Sequence, residues 1–267
     1  MPLLHIAIIA LIQGITEFLP ISSSGHLILL PNLTGLKDQG QAMDVAVHVG
    51  TLGAVILYFR QDVARAMVGL IKATKGSIDD TDARLAIGLV IATIPVVIAG
   101  LLMKVADLDQ AVRSIAVVGW ATLVFGILLW VVDRTGKQNA QAKDWTYKHA
   151  LIMGLWQVLA LIPGTSRSGI TITGARHLGY DRHSSARLAM LMSIPTILAS
   201  GTLLAAEATA DMDGALAKDA AIGAAFAFVA ALAALHFMMR LLRSVSFTPY
   251  VVYRLFLGVI LLAIAYS

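Results

Sequence analysis

The sequence predicts an all-α integral membrane protein: one membrane domain over residues 1–267, with about six transmembrane helices and two re-entrant helical hairpins in an inverted-topology repeat. Three observations carry that prediction. Of the 267 residues, 58% are hydrophobic and 13% charged, and the apolar ones form blocks rather than the every-third-or-fourth spacing of a soluble helix. Lys and Arg are sorted between loops. Two short polar stretches, "PISSSGH" (Pro20 to His26) and "PGTSRSG" (Pro163 to Gly169), interrupt otherwise apolar arms.

A helix needs about 20 apolar residues to cross about 30 Å of hydrocarbon. Val45–Phe59 (short), Leu85–Met103, Ser114–Val132, Leu188–Ala206, Ala220–Met239 and Pro249–Tyr266 qualify as spans. Basic residues mark the cytoplasmic side. The loop Arg60–Arg84 carries Arg60, Arg65, Lys72, Lys75 and Arg84, and Asp133–Lys148 carries Arg134, Lys137, Lys143 and Lys148, so both read as inside. Lys104–Arg113 and the acidic Glu207–Asp219 read as outside, Arg240 and Arg243 as inside, and the C-terminus as outside. The first 20 residues lack a basic leader and a small-residue cleavage site, so they are expected to be part of the folded chain rather than a signal peptide.

This alternation leaves His149–Pro163 and Ile170–Leu178 to enter from the inside and return to it, and the arms around "SSSG" to enter from outside and return there. Leu11–Pro20 ("LIQGITEFLP") and Gly154–Pro163 ("GLWQVLALIP") each end at a proline followed by a serine- and glycine-bearing tip. Repeat 1 then covers about 1–132 (hairpin 3–36) and repeat 2 about 148–267 (hairpin 149–178). Non-helical backbone at membrane depth survives only when buried in protein or lining a wet cavity, so the two tips are expected to share one.

The tips differ in chemistry. In the second, Gly164 and Gly169 let the chain turn, Thr165, Ser166 and Ser168 offer hydroxyls, the following helix offers free N–H groups, and Arg167 adds a planar fork suited to phosphate. Pairing of Arg167 with Glu17, or serines that only cap a helix, is the alternative. In the first, Gln13 and Glu17 stand four apart on one helix face toward Ser22, Ser23, Ser24 and His26. An amide oxygen and a carboxylate suit a hard divalent cation shared with phosphate oxygens, and a Ser or His beside a carboxylate suits group transfer. A polar cluster gluing helices together is the alternative.

Together these features point to phosphoryl chemistry on a lipid phosphate. Arg254, inside the last span, is expected to be a second phosphate ligand or a snorkelling cation. Asp44 and His48 support the site or cap a helix. Trp145 and Tyr147 read as interface anchors, and the remaining histidines as solvated. With no cysteine, disulfides and thiolate metal sites are excluded, and a net charge of +4, sorted by side, reflects orientation rather than nucleic-acid binding.

At "QGITEFLPISSSGH" (Gln13 to His26) and "PGTSRSGITITG" (Pro163 to Gly174) the chain resembles the undecaprenyl-diphosphatase family, the bacitracin-resistance proteins. The resemblance covers most of the chain. It implies removal of the terminal phosphate of undecaprenyl diphosphate, giving the monophosphate carrier used in envelope assembly, with a divalent cation (Mg2+ or Ca2+). It also implies a site open to the outer face of the bacterial inner (plasma) membrane, and a possible homodimer. By position Gln13 and Glu17 would serve the metal and diphosphate, and Ser23 or His26 would attack phosphorus. Arg167, Ser166, Ser168 and Thr171 would hold the diphosphate, with Gly164, Thr165 and Gly169 in the same element. Gln13 stands where many members carry Glu, so it offers an oxygen but no charge.

The type 2 phosphatidic acid phosphatase pattern is excluded: its Lys-x6-Arg-Pro element is missing, and the first histidine after Ser166-Arg167 is His177. A transporter or flippase of a lipid phosphate or small anion is the rival reading, because many carriers are built from inverted repeats. A purely structural role would need Glu17, Arg167 and Arg254 to serve packing alone.

Overall fold

The structure is a computed structural model describing residues 1–34, 40–108, 112, 114–208 and 214–267. Eleven α-helices run through the described residues: α1 Leu3–Thr16, α2 Ser23–Thr34, α3 Gln41–Tyr58, α4 Arg60–Thr74, α5 Thr81–Val105, α6 Ile115–Thr135, α7 Tyr147–Val158, α8 Arg167–His177, α9 Arg182–Ala208, α10 Gly214–Leu241 and α11 Thr248–Tyr266. The caps follow from the sequence: the side chains of Asp80, Ser114, Thr146 and Ser166 accept the backbone N–H of Asp82, Val117, His149 and Gly169, and Pro249 opens α11.

Among the described residues, five helices are long and apolar enough to cross a membrane: α3, α5, α6, α10 and α11. Their outward sides are apolar, as in Val90, Ile94 and Ile98 of α5, Val124 and Ile127 of α6, and Phe256 and Val259 of α11, all exposed. Such surface needs lipid against it, and the chain is a multi-pass membrane protein. The sixth expected span, Leu188–Ala206, lies in the 27-residue α9, where residues 203–208 have side chains outside the described set.

The hairpin helices are short. At 1.5 Å per residue, the 14 residues of α1 reach about 21 Å, and α2, α7 and α8, with 12, 12 and 11, reach less. None matches a 30 Å core. The first hairpin, 3–36, is described as far as Thr34, and parts of the expected loops Lys104–Arg113 and Glu207–Asp219 lie outside the described residues.

Helices from the two halves pack across one another. α1 and α3 rest on α10, α7 rests on α5, α11 on α6, and α9 touches α3, α5 and α8. Close approach depends on glycine: a Cβ on Gly14 of α1 would fall 2.6 Å from the Ala230 Cβ of α10, and one on Gly154 of α7 would fall 2.6 Å from the Ala92 carbonyl of α5. Without a water-driven force between helices, small residues that let backbones meet supply the packing.

Three expectations are corrected. The inside loop Arg60–Arg84 contains a helix, α4, which packs on α5 and leaves Met67, Val68, Leu70 and Ile71 exposed beside its charged residues. It has the makeup of an interfacial amphipathic helix, whose charges disguise it in a search for apolar blocks. Trp145 is 4% exposed and packs its six-membered ring on Gly88 of α5, so it is a core residue and not an interface anchor. His5, expected in solvent, is buried in α1.

The connection from α8 to α9 is held by a buried ion pair. Arg176, fully buried, donates from Nε to Asp133 Oδ1 at 3.0 Å and from its two Nη groups to the carbonyls of Lys137 (2.8 Å), Asp133 (3.0 Å), Gly136 (3.1 Å) and Tyr180. Asp133 also accepts from Arg182 Nε at 2.9 Å. A buried charge is tolerable when it is paired and its donors are used, as here.

Candidate active site

Each hairpin turns at a serine with positive φ: Ser22 at 74° just before α2, and Ser166 at 69° just before α8. Non-glycine residues rarely hold this conformation, and it persists where surrounding structure enforces it. Gly164 turns at φ 93°, where a Cβ would collide with the Val118 carbonyl. The tips are bonded to each other. Gly164 N–H donates to Ser24 Oγ at 3.1 Å, Ser168 Oγ donates to the Leu19 carbonyl at 3.0 Å, and Arg167 Nη2 pairs with Glu17 Oε1.

Glu17, at the end of α1, is buried and is the centre of this junction. Its Oε2 accepts from Gln13 Nε2 at 2.8 Å and from Ser23 Oγ at 3.2 Å, and His48 Nε2 of α3 stands 3.8 Å away. A cavity of about 250 Å3 opens here, lined by Glu17, Ser22, Ser23, Ser24 and His48 on one side and by Gly164, Ser166 and Arg167 on the other. Val96 and Thr196, each next to a proline inside its helix, also line it, with residues 160–162 and Ser200.

Other expected site residues stand behind this lining. His26 donates from Nδ1 to the Ser22 carbonyl at 2.7 Å, because a carbonyl can only accept. That leaves Nε2 to accept from Tyr253 Oη at 2.6 Å, and the two rings stack with centroids 5.5 Å apart. The imidazole is therefore engaged on both nitrogens. Arg254 is fully buried behind the second tip and donates to the carbonyls of Thr122 (3.1 Å) and Gly164 (3.1 Å). Thr171 bonds back to the carbonyls of Arg167 and Ser168 inside α8. Gly169 packs close to this guanidinium, since a Cβ there would lie 2.9 Å from Arg254 Nη1.

Among the described residues, five buried side-chain polar atoms have no hydrogen-bond partner, and three of them belong to this region: Gln13 Oε1, Thr165 Oγ1 and Arg254 Nη1. Buried unpaired polar atoms are costly; none of the three residues lines the Glu17 cavity itself, and Gln13 stands next to Glu17 through the bond from its Nε2. For a divalent cation the fit is partial but coherent. Among the described residues no group of three His, Asp or Glu could hold a metal ion by itself. The free Gln13 oxygen and the Glu17 carboxylate are hard donors that suit Mg2+ or Ca2+ when phosphate oxygens and water fill the remaining positions.

His48 is the residue whose place the sequence only hinted at. Its Nδ1 donates to the Asp44 carbonyl at 2.7 Å, which turns Nε2 toward Glu17. The i, i+4 spacing of Asp44 and His48 was legible, but not that α3 lies beside the first tip.

The family model described as bacitracin resistance protein BacA matches residues 6–260. Proteins named undecaprenyl-diphosphatase from Ruegeria pomeroyi and Dinoroseobacter shibae are each 64% identical over 267 residues, the full length of both chains. One from Teredinibacter turnerae is 45% identical over 98% of each. With the family model matching nearly end to end and identity of this order over the full length, the chain belongs to the bacitracin resistance protein BacA family.

Proposed function

We propose that this chain hydrolyses undecaprenyl diphosphate to undecaprenyl phosphate and inorganic phosphate, returning the lipid carrier to peptidoglycan and other envelope synthesis. The carrying observation is Ser23 Oγ held 3.2 Å from Glu17 Oε2 in a cavity whose facing wall is Arg167. The names of the full-length relatives support the same reaction.

In the mechanism, Arg167, the N–H groups opening α8 and the hydroxyl of Ser166 bind the diphosphate and offset its charge. Ser23 Oγ attacks the terminal phosphorus while its proton passes to Glu17 Oε2, and the bond from phosphorus to the bridging oxygen breaks, releasing the lipid monophosphate. Glu17 hands that proton to the departing monophosphate; water then attacks the phosphoserine, giving a proton to Glu17, which passes it to Ser23 Oγ as the bond from phosphorus to Oγ breaks and inorganic phosphate departs. His26, engaged by Ser22 and Tyr253, positions the turn, and Arg254 and Thr171 stiffen the second tip from behind. Gln13 and Glu17 are the residues that would hold Mg2+ or Ca2+, which supplies charge neutralisation on the phosphates.

The two halves act as an inverted repeat, with residues 1–132 and 148–267 as its units and both hairpins re-entrant. The packing of α1 on α10 and of α7 on α5, and the paired positive-φ serines, support that reading. The distribution of Lys and Arg supports the bacterial inner membrane with the site open to the outer side. A homodimer is part of the same proposal.

Purified protein in detergent should release phosphate from undecaprenyl or farnesyl diphosphate in a chelator-sensitive way. Substrate left intact with Mg2+ and Ca2+ supplied would overturn the proposal and favour a carrier.

A further inference from the structure

At the end of the bundle that carries the basic loops, α4, α5, the 3-10 turn Ala142–Asp144 and α9 enclose a second cavity of about 130 Å3, sharing no lining residue with the Glu17 cavity. Its walls bring together Arg65, Arg84, Lys143 and Arg187, with Asp62 as the lining carboxylate. Arg187 spends Nε and Nη2 on Asp62, at 2.9 Å for the Nε contact, and Nη1 is left over. Arg65 gives Nε to Asp82 at 2.8 Å and stands with Nη1 3.8 Å from Asp62, and Lys72 is taken up by Asp80 and Asp82. Arg84 meets only the Asp79 carbonyl, at 3.3 Å, and Lys143 has no acceptor among the described residues. Setting Asp62 and Asp82 against the four lining cations leaves two positive charges uncompensated.

A second observation points the same way. Trp145, in the cavity wall and 4% exposed, has an indole N–H with no hydrogen-bond partner. Basic residues that only set orientation in a bilayer would stand apart in water. Here they line one space with room for a phosphate group and a few waters, with a spare buried donor in the same wall.

We infer that this cavity binds a phosphate group, carried by the headgroup of an anionic phospholipid or present as free inorganic phosphate. Arg84 and Lys143 supply the uncompensated charge, and Arg65 and Arg187, held in place by Asp82 and Asp62, present their remaining N–H groups. The site is distinct from the proposed catalytic cavity and does not depend on the reaction assigned there.

The test is native mass spectrometry of the full chain in non-ionic detergent with phosphatidylglycerol or phosphatidylcholine, for the wild type and an Arg84→Gln, Lys143→Gln double variant. Neither residue pairs with a carboxylate, so the variant should keep the wild-type unfolding temperature and its phosphatase activity. The wild type should retain phosphatidylglycerol over phosphatidylcholine, and the variant should lose about fivefold of that preference per residue removed. Displacement of phosphatidylglycerol by added inorganic phosphate would assign the free ion as a second source. Persistence would assign the headgroup alone. Equal retention of the two lipids with no phosphate binding that depends on Arg84 and Lys143, or a preference unchanged in the variant, would overturn the inference.

Discussion

Gly164 N–H donates to Ser24 Oγ at 3.1 Å, so the tip of the second hairpin is fastened to the tip of the first. The bond exists because Gly164 turns at φ 93° against the Val118 carbonyl, a position no side chain can share. Two segments 140 residues apart in the chain become one site.

Gly164→Ala should therefore damage activity more than its size suggests. Positive φ alone costs of the order of 1–3 kcal/mol, and the collision forces the turn away from Ser24. Phosphate release should fall at least about tenfold while the helical circular dichroism signal in detergent stays near wild type.

Arg167→Ala should remove the partner of a buried carboxylate as well as the facing wall of the cavity. Breaking a buried pair costs about 3–5 kcal/mol, less here because the Arg167 side chain is 19% exposed. The unfolding temperature should drop and activity be lost. Pairing Arg167→Ala with Glu17→Gln should recover stability but not activity.

Tyr253→Phe should separate positioning from chemistry. It removes the hydroxyl that His26 Nε2 accepts from and keeps the stacked ring. If His26 only holds the turn, kcat should fall less than tenfold, while Glu17→Gln should lower it by about 10²–10⁴, as expected for loss of a general base.

Arg176→Ala should be a stability mutant. It leaves Asp133 short of its fully buried partner and four carbonyls short of a donor, for a cost of about 3–5 kcal/mol. The protein should unfold at lower temperature in detergent, and the fraction still folded should keep wild-type KM for farnesyl diphosphate.

Apolar blocks and loop charges made most of the fold legible, since length and Lys/Arg placement act through the bilayer directly. They missed α4, whose function as a surface helix mixes charge with apolar residues, and misread Trp145, because only the packed α5 shows Gly88 opening room for its ring. The meeting of Glu17 and Arg167 was legible because an intramembrane charge needs a partner, and their pairing was among the readings the sequence left open. What spacing could not convey was direction. His26, beside the first tip in sequence, turns toward Tyr253, and Arg254, from the last helix, turns toward Gly164, whereas His48 arrives from α3.

The most direct test of the account is to quench the purified enzyme during turnover of a diphosphate labelled at its terminal phosphate and map the label. The account predicts an acid-stable phosphoserine at Ser23 that persists in His26→Gln and vanishes, with activity, in Ser23→Ala. An acid-labile phosphohistidine at His26, or full activity in Ser23→Ala, would contradict it.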